Sequence, residues 1–319
     1  MEVKRFYDAS NRLQYLKDGS NTTMATYSYD NLDRMTGISM ANGTSEASNY
    51  DLLNRVTSMV GKSPASTFTY SYVYDKASRL TSATEIRGTI AYGYTDRNEL
   101  NSVTEPSGSP FADQGFTYDP GYNRASWTLG TNTTSYAVNN LDQYSKVSGK
   151  TAPTWNPDGG LKVFDGNTYT YDALQRLTEV DYSAGKTLFS YDPLGRRVKK
   201  VDLNPSGAVL ATFQYHYDGS EVAVEYRPST TWTYYLGLGL DQVVMRDSGS
   251  AKQWYYRDGH NSVLGVADNS GNLLEFYEFN AQGQFAIFNG TFNLLGLIPR
   301  SLLRLLAGGS FGDAKSLHP

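Results

Sequence analysis

The sequence predicts an all-β fold, built as an antiparallel ribbon of repeated hairpins. Three observations lead to this prediction: a short phrase that recurs along the 319 residues, aromatic and polar residues that alternate around it, and turn-forming residues at its centre. The phrase is an aromatic residue and Asp, two further residues, then Asn, Gly or Asp, and then Arg. Self-similarity at a period of roughly twenty residues indicates a repeat architecture.

Seven copies of the phrase are clear, and their residues are the candidate site residues of the chain, each with a structural role in its repeat. The copy that begins at Tyr118 has one residue more between Asp and Arg, and weaker copies begin at Tyr94, Val138, Tyr217 and Tyr256. The candidate residues are Tyr7, Asp8, Asn11, Arg12, Tyr29, Asp30, Asp33, Arg34, Tyr50, Asp51, Asn54, Arg55, Tyr74, Asp75, Arg79, Tyr118, Asp119, Arg124, Tyr171, Asp172, Arg176, Tyr191, Asp192, Gly195 and Arg196.

Each copy predicts a strand, a tight turn and a returning strand. In the copy that contains Tyr191, aromatic residues alternate with polar ones on entry, which is the period of a half-buried strand. Asp192 can accept backbone N–H groups, and Pro193 fixes φ as a type I turn requires. Gly195 then supplies a positive φ. Its counterparts are Asn11, Asp33, Asn54, Asn98, Asn123 and Asp142, which tolerate that region best, whereas Gln175 fits least well.

The repeated Tyr and Arg indicate how neighbouring hairpins pack. The chain has 26 Tyr, 13 Phe and 4 Trp but no Cys, so its core depends on aromatic packing and not on disulfide bonds. The motif Arg is placed to pair with a carboxylate of a neighbouring hairpin or to stack on its Tyr. A position that recurs throughout a repeat usually serves the contact between repeats, so the sequence favours this structural role over ligand binding.

Charge and hydropathy exclude several classes of protein. The net charge is −4, from 28 basic and 32 acidic residues without a charged block, which argues against nucleic acid as the main partner. No apolar run reaches the 18 or so residues that span a bilayer. The first residues enter a repeat and do not resemble a signal peptide. We therefore expect a protein that is secreted or delivered to a cell surface without such a peptide, or a cytoplasmic one if it is expressed as this fragment.

No chemical motif in the sequence predicts an enzyme, a cofactor or a metal site. Of the three histidines, His216 is expected to point outward from a strand and His260 to lie in a hairpin turn, and His318 has no partner residues of familiar spacing. Asp158, Asp165 and Asn167 are explained better by turn formation than by Ca²⁺ binding. The sequence lacks a complete dinucleotide signature.

These Tyr-Asp hairpins resemble the YD-repeat, or Rhs, family over residues 1 to about 285. The stretches Trp155–Asp172 and Trp254–Gly283 resemble the family's internal pairing and the start of its Rhs-associated core segment. The resemblance implies a spiralling antiparallel sheet, a curved ribbon that forms part of a hollow shell. It also implies that a variable C-terminal polypeptide, commonly a toxin, is held inside, as in polymorphic toxins, type VI effectors and the C component of toxin complexes.

The sequence divides into a hairpin array at 1–253, the start of the core segment at 254–288 and a divergent Leu-rich tail at 289–319. Three interpretations of the tail stay open. It is out-of-frame translation, a short genuine variable tail, or an amphipathic helix with Leu295, Ile298, Leu302 and Leu305 on one face. Translation of the downstream DNA in the other two frames tests the first, which requires a Tyr- and Arg-rich stretch there.

The leading functional hypothesis is a structural one, a wall segment of a shell around a C-terminal toxin or other cargo polypeptide, with the remaining shell repeats as further partners. The alternatives are a repeat array that binds cell-surface carbohydrate or protein, and a non-functional gene remnant. A secretion spike or a cell-surface glycan is a further partner that the resemblance implies. Because the ribbon has raw edge strands, we also expect poor solubility or oligomers, which light scattering would detect.

Overall fold

The computed structural model describes residues 2–238 and 242–289 and the backbone of 294–298, and every regular element in this part of the chain is a β-strand. The strands are β1 Val3–Tyr7, β2 Leu13–Asp18, β3 Thr23–Tyr29, β4 Met35–Met40, β5 Ser45–Tyr50, β6 Val56–Lys62, β7 Thr67–Tyr74, β8 Leu80–Glu85, β9 Gly88–Tyr94, β10 Leu100–Thr104, β11 Gln114–Tyr118, β12 Arg124–Leu129, β13 Asn132–Val138, β14 Tyr144–Val147, β15 Thr154–Trp155, β16 Leu161–Phe164, β17 Asn167–Tyr171, β18 Leu177–Tyr182, β19 Gly185–Tyr191, β20 Arg197–Leu203, β21 Val209–Asp218, β22 Glu221–Tyr226, β23 Thr231–Leu236, β24 Val243–Asp247, β25 Lys252–Arg257, β26 Val263–Ala267, β27 Leu273–Phe279, β28 Phe285–Asn289 and β29 Leu294–Ile298.

Each strand pairs in antiparallel fashion with the next one in the chain, so the fold is a long meander. The first sheet contains β1 to β14 and the second contains β15 to β29. The backbone ladder is interrupted between Val147 and Thr154, where β14 and β15 do not pair. The predicted antiparallel ribbon of hairpins is therefore confirmed, and the two sheets are open and not closed on themselves.

The turns that carry the motif all lie along one long edge of the ribbon, here called the motif edge, because each of them follows an odd-numbered strand. In the first copy, the Asp8 N–H donates to the Arg12 carbonyl (2.8 Å) and the Asn11 N–H donates to the Asp8 carbonyl (3.0 Å). Asn11 has a φ of 61°, in the left-handed region. The pairing register shifts between Phe6 and Tyr7, which places a bulge beside each such turn.

One predicted turn position was wrong. The structure places the positive φ at Tyr122 (66°) and not at Asn123. The Asp119 N–H donates to the Asn123 carbonyl, so this turn has the same length as the others, and Asn123 occupies the position of the motif Arg. Arg124 consequently begins strand β12. The error arose because the prediction aligned Arg124 with the arginines of the other copies, which placed an extra residue in the turn.

Gln175 and Ser78 adopt the left-handed conformation although neither residue type favours it. Their φ values are 61° and 64°, within a few degrees of Asn11 and Asn54. The hydrogen bonds of the turn impose this geometry on whichever residue stands there, because the flanking strands are fixed by their ladders. Local preference is thus overridden at these two positions at a cost of about 1–2 kcal/mol.

The main core lies where the two sheets face each other. It combines residues of β2 to β8 with residues of β23 to β28. Tyr70, Tyr235, Trp254 and Phe276 are among its large side chains, and each is at most 2% exposed. Strands β12 to β18, in contrast, have no fully buried residue, so the middle of the ribbon leaves both of its faces partly open to solvent. The core therefore joins the two ends of a ribbon whose middle is unpacked.

The beginning of the tail is a strand and not a helix. β29 pairs with β28 in antiparallel fashion, from Phe288 opposite Leu294 to Phe285 opposite Ile298. The helical interpretation is therefore wrong for Leu295 and Ile298, because the open edge of β28 supplies backbone partners that a helix would not use. The remaining predictions for the tail, including Leu302 and Leu305, lie outside the described residues.

The strained turn at Ser78 provides a test of this account. We expect Ser78→Asn to raise the free energy of unfolding by about 0.5 kcal/mol, because Asn tolerates a positive φ better than Ser and its side chain keeps a hydrogen-bond acceptor. Chemical denaturation measures the change. Ser78→Ala is the matched control and should destabilise the protein, and an equal effect of both substitutions would contradict the explanation.

Candidate functional site: the repeat clamp and the seam between the sheets

Each motif joins two successive hairpins through one set of contacts, here called the clamp. In the second copy, Arg34 Nε donates to Asp30 Oδ2 of its own turn (2.6 Å). Arg34 Nη1 donates to the Asp51 carbonyl (3.0 Å) and to Asn54 Oδ1 (3.2 Å) of the next turn. The guanidinium lies 4.8 Å from the centre of the Tyr50 ring. The clamp therefore connects the turn of one repeat to the turn and the tyrosine of the next.

The tyrosine completes the clamp by returning a hydrogen bond to the preceding repeat. The Tyr50 hydroxyl donates to the Met35 carbonyl (2.7 Å), one residue after the arginine that covers its ring. The hydroxyls of Tyr29, Tyr74, Tyr94, Tyr118, Tyr191 and Tyr217 donate in the same way to carbonyls one repeat earlier, at 2.7–2.9 Å. Every one of these rings except that of Tyr118 is thus held between an arginine and a backbone carbonyl.

The same arginine contacts recur through both sheets. Six arginines pair with the Asp of their own turn at 2.6–2.8 Å and cover the next aromatic ring at 4.7–5.0 Å: Arg12, Arg34, Arg55, Arg79, Arg176 and Arg196. In these six repeats the structure thus brings together the Tyr, Asp and Arg residues that the motif contains. Their partners are all parts of the ribbon itself.

Where the motif residues change, other side chains make the contacts of the clamp. Asn123 Nδ2 donates to Asp119 Oδ2 (3.3 Å) and to Asp142 Oδ1 of the next turn (3.0 Å), in place of an arginine. Arg97, two positions before the usual arginine, donates to the Asp119 carbonyl (3.2 Å) and lies 4.0 Å from the Tyr122 ring. Arg124, displaced onto β12, lies over a neighbouring ring instead.

A clamp-like contact also crosses the interruption between the two sheets. Trp155 stands where the tyrosine of its repeat would be, and its indole Nε1–H donates to the Tyr144 carbonyl (2.9 Å). Like the tyrosine bonds, this bond ends on the carbonyl of the residue that directly follows the arginine position of the preceding repeat, which here is Tyr144. The motif edge therefore continues where the backbone ladder does not.

The turn carboxylates are held ionised by backbone donors. Asp51 Oδ1 accepts the N–H groups of Leu53 (2.8 Å) and Arg55 (3.0 Å). The hydrogen bond from the backbone N–H of the motif arginine is the largest cause that lowers the pKa of Asp51, and the same cause lowers the pKa of Asp8, Asp75 and Asp172. Burial raises the pKa of the clamped tyrosines Tyr29, Tyr50, Tyr74 and Tyr94. The carboxylate therefore serves as a fixed acceptor for the backbone of its turn and for its arginine.

The second candidate element is the surface on which residues 252–288 of the second sheet pack against the first sheet, here called the seam. The Arg257 N–H donates to Glu46 Oε1 (2.8 Å), and the Gly259 N–H donates to the Tyr72 hydroxyl (3.0 Å). Phe68 meets the ring of Tyr256 edge to face, with centroids 5.5 Å apart. The seam therefore joins segments that lie about two hundred residues apart in the chain.

Charged side chains within the seam were not found by sequence reasoning. Arg87 Nε donates to both carboxylate oxygens of Glu278, at 2.8 and 3.0 Å. Arg124 Nη1 donates to Gln282 Oε1 (2.5 Å). Arg87 lies outside every copy of the motif, and Arg124 was expected to join neighbouring hairpins and not the two sheets. The only signal is a glutamate at an inward strand position, such as Glu46 between Ser45 and Ala47.

The remaining candidates lie apart from one another. His216 is exposed on β21 beside Tyr226, and His260 lies in the β25–β26 turn against the ring of Tyr72. Asp165 pairs with Lys150 (2.5 Å). Among the residues that the structure describes, no group of three His, Cys, Asp or Glu side chains is placed to hold a metal ion, and no helix is long and apolar enough to cross a membrane.

The fold and its repeated clamp match a known family. Residues 64–294, most of the chain, match the teneurin YD-shell. The chain belongs to the teneurin YD-shell family. The predicted YD-repeat membership is therefore confirmed, and the clamp describes how this YD shell joins one hairpin to the next in the present sequence.

Curated relatives of this YD-shell chain are much longer than it is. The tRNA3(Ser)-specific nuclease WapA of Bacillus spizizenii is 28% identical over 202 residues, which cover 60% of this chain and 8% of the relative. The tRNA(Glu)-specific nuclease WapA of Bacillus subtilis subsp. natto is 27% identical over 159 residues, covering 47% of this chain and 6% of the relative. The chain thus corresponds to a small part of either nuclease.

Solved structures of the same fold belong to a toxin complex. The crystal structure of TcdB2-TccC3 without its hypervariable C-terminal region superposes with a TM-score of 0.72 at 15% identity, over 93% of this chain and 17% of that one. A Photorhabdus luminescens Tc holotoxin pore gives 0.67 at 13% identity, also over 93% of this chain and 17% of that one. At such identities the likeness establishes the YD-shell fold alone.

A double-mutant cycle tests the clamp between adjacent repeats. We expect Arg55→Met and Tyr74→Leu to show a coupling energy of about 0.5–1 kcal/mol, because each substitution removes the same cation–π contact. Urea denaturation of the four proteins measures it. Arg55→Met with Tyr94→Leu is the matched control cycle, since the Tyr94 ring is covered by Arg79 and not by Arg55. Equal coupling in the two cycles would show that the clamp is not specific to neighbouring repeats.

The lowered pKa values of the turn aspartates predict sensitivity to acid. A carboxyl whose folded-state pKa is lowered stabilises the fold above its unfolded pKa of about 3.9, and this stability is lost as pH falls through the folded value. We expect Tm to decrease steeply below about pH 4. Calorimetry between pH 6 and pH 2.5 measures the decrease. Asp51→Asn should lower Tm at pH 6 and reduce the later decrease, whereas a Tm independent of pH would refute the assignment.

Proposed function

We propose that this chain is a wall segment of a YD-repeat shell that encloses a C-terminal toxin or other cargo polypeptide, and that it acts as a scaffold and not as an enzyme. The observation that carries the proposal is the continuity of the clamp. The motif residues join hairpin to hairpin along the motif edge from Arg12 to Tyr217, including the interruption at Trp155. A side chain held in this way builds a wall and is not free for chemistry.

The relatives supply the second support. Two are nucleases by name, and the matched toxin-complex structure is described as lacking a hypervariable C-terminal region. A polypeptide of variable sequence can be held by confinement, because a wall that makes no specific contacts accepts any sequence. The half-exposed faces of β12 to β18, with Tyr, Thr, Ser and Asn among their residues, suit such a wall. Delivery outside the producing cell follows from the same proposal.

Carbohydrate binding receives less support. A glycan platform needs exposed rings flanked by polar groups. Most motif tyrosines are instead covered by an arginine on one side and bonded through their hydroxyl, and only Tyr7 and Tyr122 are more than half exposed among the tyrosines of the described residues. Arg97 already lies over the Tyr122 ring. A glycan array remains the direct way to detect binding of this kind.

Protection of a C-terminal segment from protease tests the shell. The gene product is expressed from its natural locus with an epitope tag at its C-terminus and is digested under native conditions. We expect the tag to be cleaved at least about tenfold more slowly than in the same C-terminal segment produced alone, because cleavage requires an opened wall. Equal rates for the two proteins would contradict encapsulation.

Clamp variants give the matched control. Arg55→Ala with Arg79→Ala should loosen two successive repeats and accelerate cleavage of the tag, because both arginines join adjacent hairpins. Lys146→Ala with Lys162→Ala removes two positive charges from exposed strand positions outside the clamps and should leave the rate unchanged. Protection that the clamp variants do not alter would show that the segment is shielded by something other than this wall.

A further inference from the structure

One end of the seam encloses a small cavity lined by acidic side chains from both sheets. Its volume is about 10 Å³, room for about one water molecule. Glu85, which ends β8, Arg87 in the following turn, and Glu105 after β10 line it from the first sheet, and Glu278 of β27 lines it from the second. The cavity thus brings three carboxyl groups and one guanidinium together where the two sheets meet.

The three carboxyl groups differ in the number of hydrogen bonds that they accept. Glu278 receives both hydrogen bonds from Arg87, whose guanidinium also lies 4.1 Å from the centre of the Phe288 ring. Glu105 Oε2 accepts a hydrogen bond from the Ser109 hydroxyl (2.9 Å). The side chain of Glu85 has no hydrogen bond or ion pair with any described residue, and its surroundings include the rings of Tyr70 and Tyr92. The guanidinium of Arg87 is therefore the cation available to all three carboxyl groups that line the cavity.

Further charges face the cavity from neighbouring elements. Asp258 of the β25–β26 turn acts on Glu85, as do Glu105 and Glu278, and Asp113 acts on Glu105. Every one of these groups is acidic. Farther along the seam, Glu46 accepts the N–H of Arg257, and His260 lies against Tyr72. If all carboxyls of the cavity were ionised, repulsion between the two sides of the seam would not be balanced by Arg87 alone.

We propose that this carboxyl cluster is a pH-operated latch: the seam is closed while Glu85 and Glu105 carry protons, and it loosens when they ionise. Protonated carboxyls can share the small cavity with the Arg87–Glu278 pair without net repulsion. Ionised ones place like charges on β8 and the segment after β10 opposite Glu278 on β27. The latch concerns contacts within this chain, so it does not depend on the proposed cargo.

The pH window follows from burial. Burial raises the pKa of Glu85 to about 8 and that of Glu105 to about 7, and it also raises the pKa of Glu278 and takes that of Glu46 to about 7. A carboxyl whose folded-state pKa is raised stabilises the closed state most below its unfolded pKa of about 4.3, and this stability declines as pH rises to the folded value. The seam should therefore open between neutral and mildly alkaline pH.

Hydrogen exchange of the β27 and β28 amides measures the latch in the wild-type chain. Protection factors, which are relative to the exchange of an unfolded chain at the same pH, should fall at least about tenfold between pH 6 and pH 9, since one unit of pKa shift corresponds to a factor of ten. Amides of β19 and β20, away from the seam, should keep their protection. If the β27 and β28 amides show no selective loss of protection, the proposal is overturned.

Substitutions locate the effect. Glu85→Gln with Glu105→Gln mimics the protonated cluster and should abolish the loss of protection at pH 9. Glu179→Gln, on β18 and paired with Lys186, is the matched control and should behave as wild type. His260→Gln should retain the loss as well, which separates the latch from histidine titration. A loss that persists in the double variant, or that disappears only in His260→Gln, would assign the pH response to other groups. Each variant is compared at pH 6, where circular dichroism verifies its fold.

Discussion

The whole ribbon depends on one interaction, the arginine that joins the aspartate of its own turn to the tyrosine of the next. A left-handed residue sets the turn, the turn fixes the aspartate, and the aspartate holds the guanidinium at 2.6 Å, as Asp51 does for Arg55. Because the arginine is planar and ionised at every relevant pH, it can form this ion pair and cover a ring at the same time. The spacing between hairpins is therefore set by side chains along the motif edge as well as by the backbone ladder.

Most of the local structure could be predicted from the sequence. The antiparallel hairpins, the turn residues and the pairing of Arg with Asp and Tyr follow from residue types at fixed spacing, and the structure contains them. The positive φ of Tyr122 was missed because the copies of the motif were aligned by residue type, whereas the hydrogen bonds of the turn decide which position adopts the left-handed conformation. The seam was missed for a different reason: Glu46 and Arg257 lie 211 residues apart, and no periodicity in a single sequence relates them. Long-range packing became visible only once the two sheets were in place.

Two kinds of contact stabilise the fold: the clamps act between neighbouring repeats, and the seam acts between distant parts of the chain. A pure array of hairpins would be a sum of neighbouring repeats and could fray from either end. Here, the bond from Asn42 Nδ2 to the Asp268 carbonyl spans 226 residues, and the core around Trp254 joins the same regions. Closing the seam therefore requires most of the ribbon to be in place first. Such long loops are slow to close, so folding should be limited by the meeting of the two ends.

The interruption at Val147–Thr154 has a mechanical consequence. Elsewhere, a pulling force between neighbouring strands is shared by a row of backbone hydrogen bonds. Between the two sheets it would pass through the connecting backbone, the hydrogen bond from the Trp155 indole to Tyr144 and the ion pair between Lys150 and Asp165. Once the seam has opened, the two sheets would therefore separate first at this point, and each would stay intact while the connecting backbone still links them. The position of that weak point is set by the break in the backbone ladder, and its strength depends on the few side-chain contacts that bridge it.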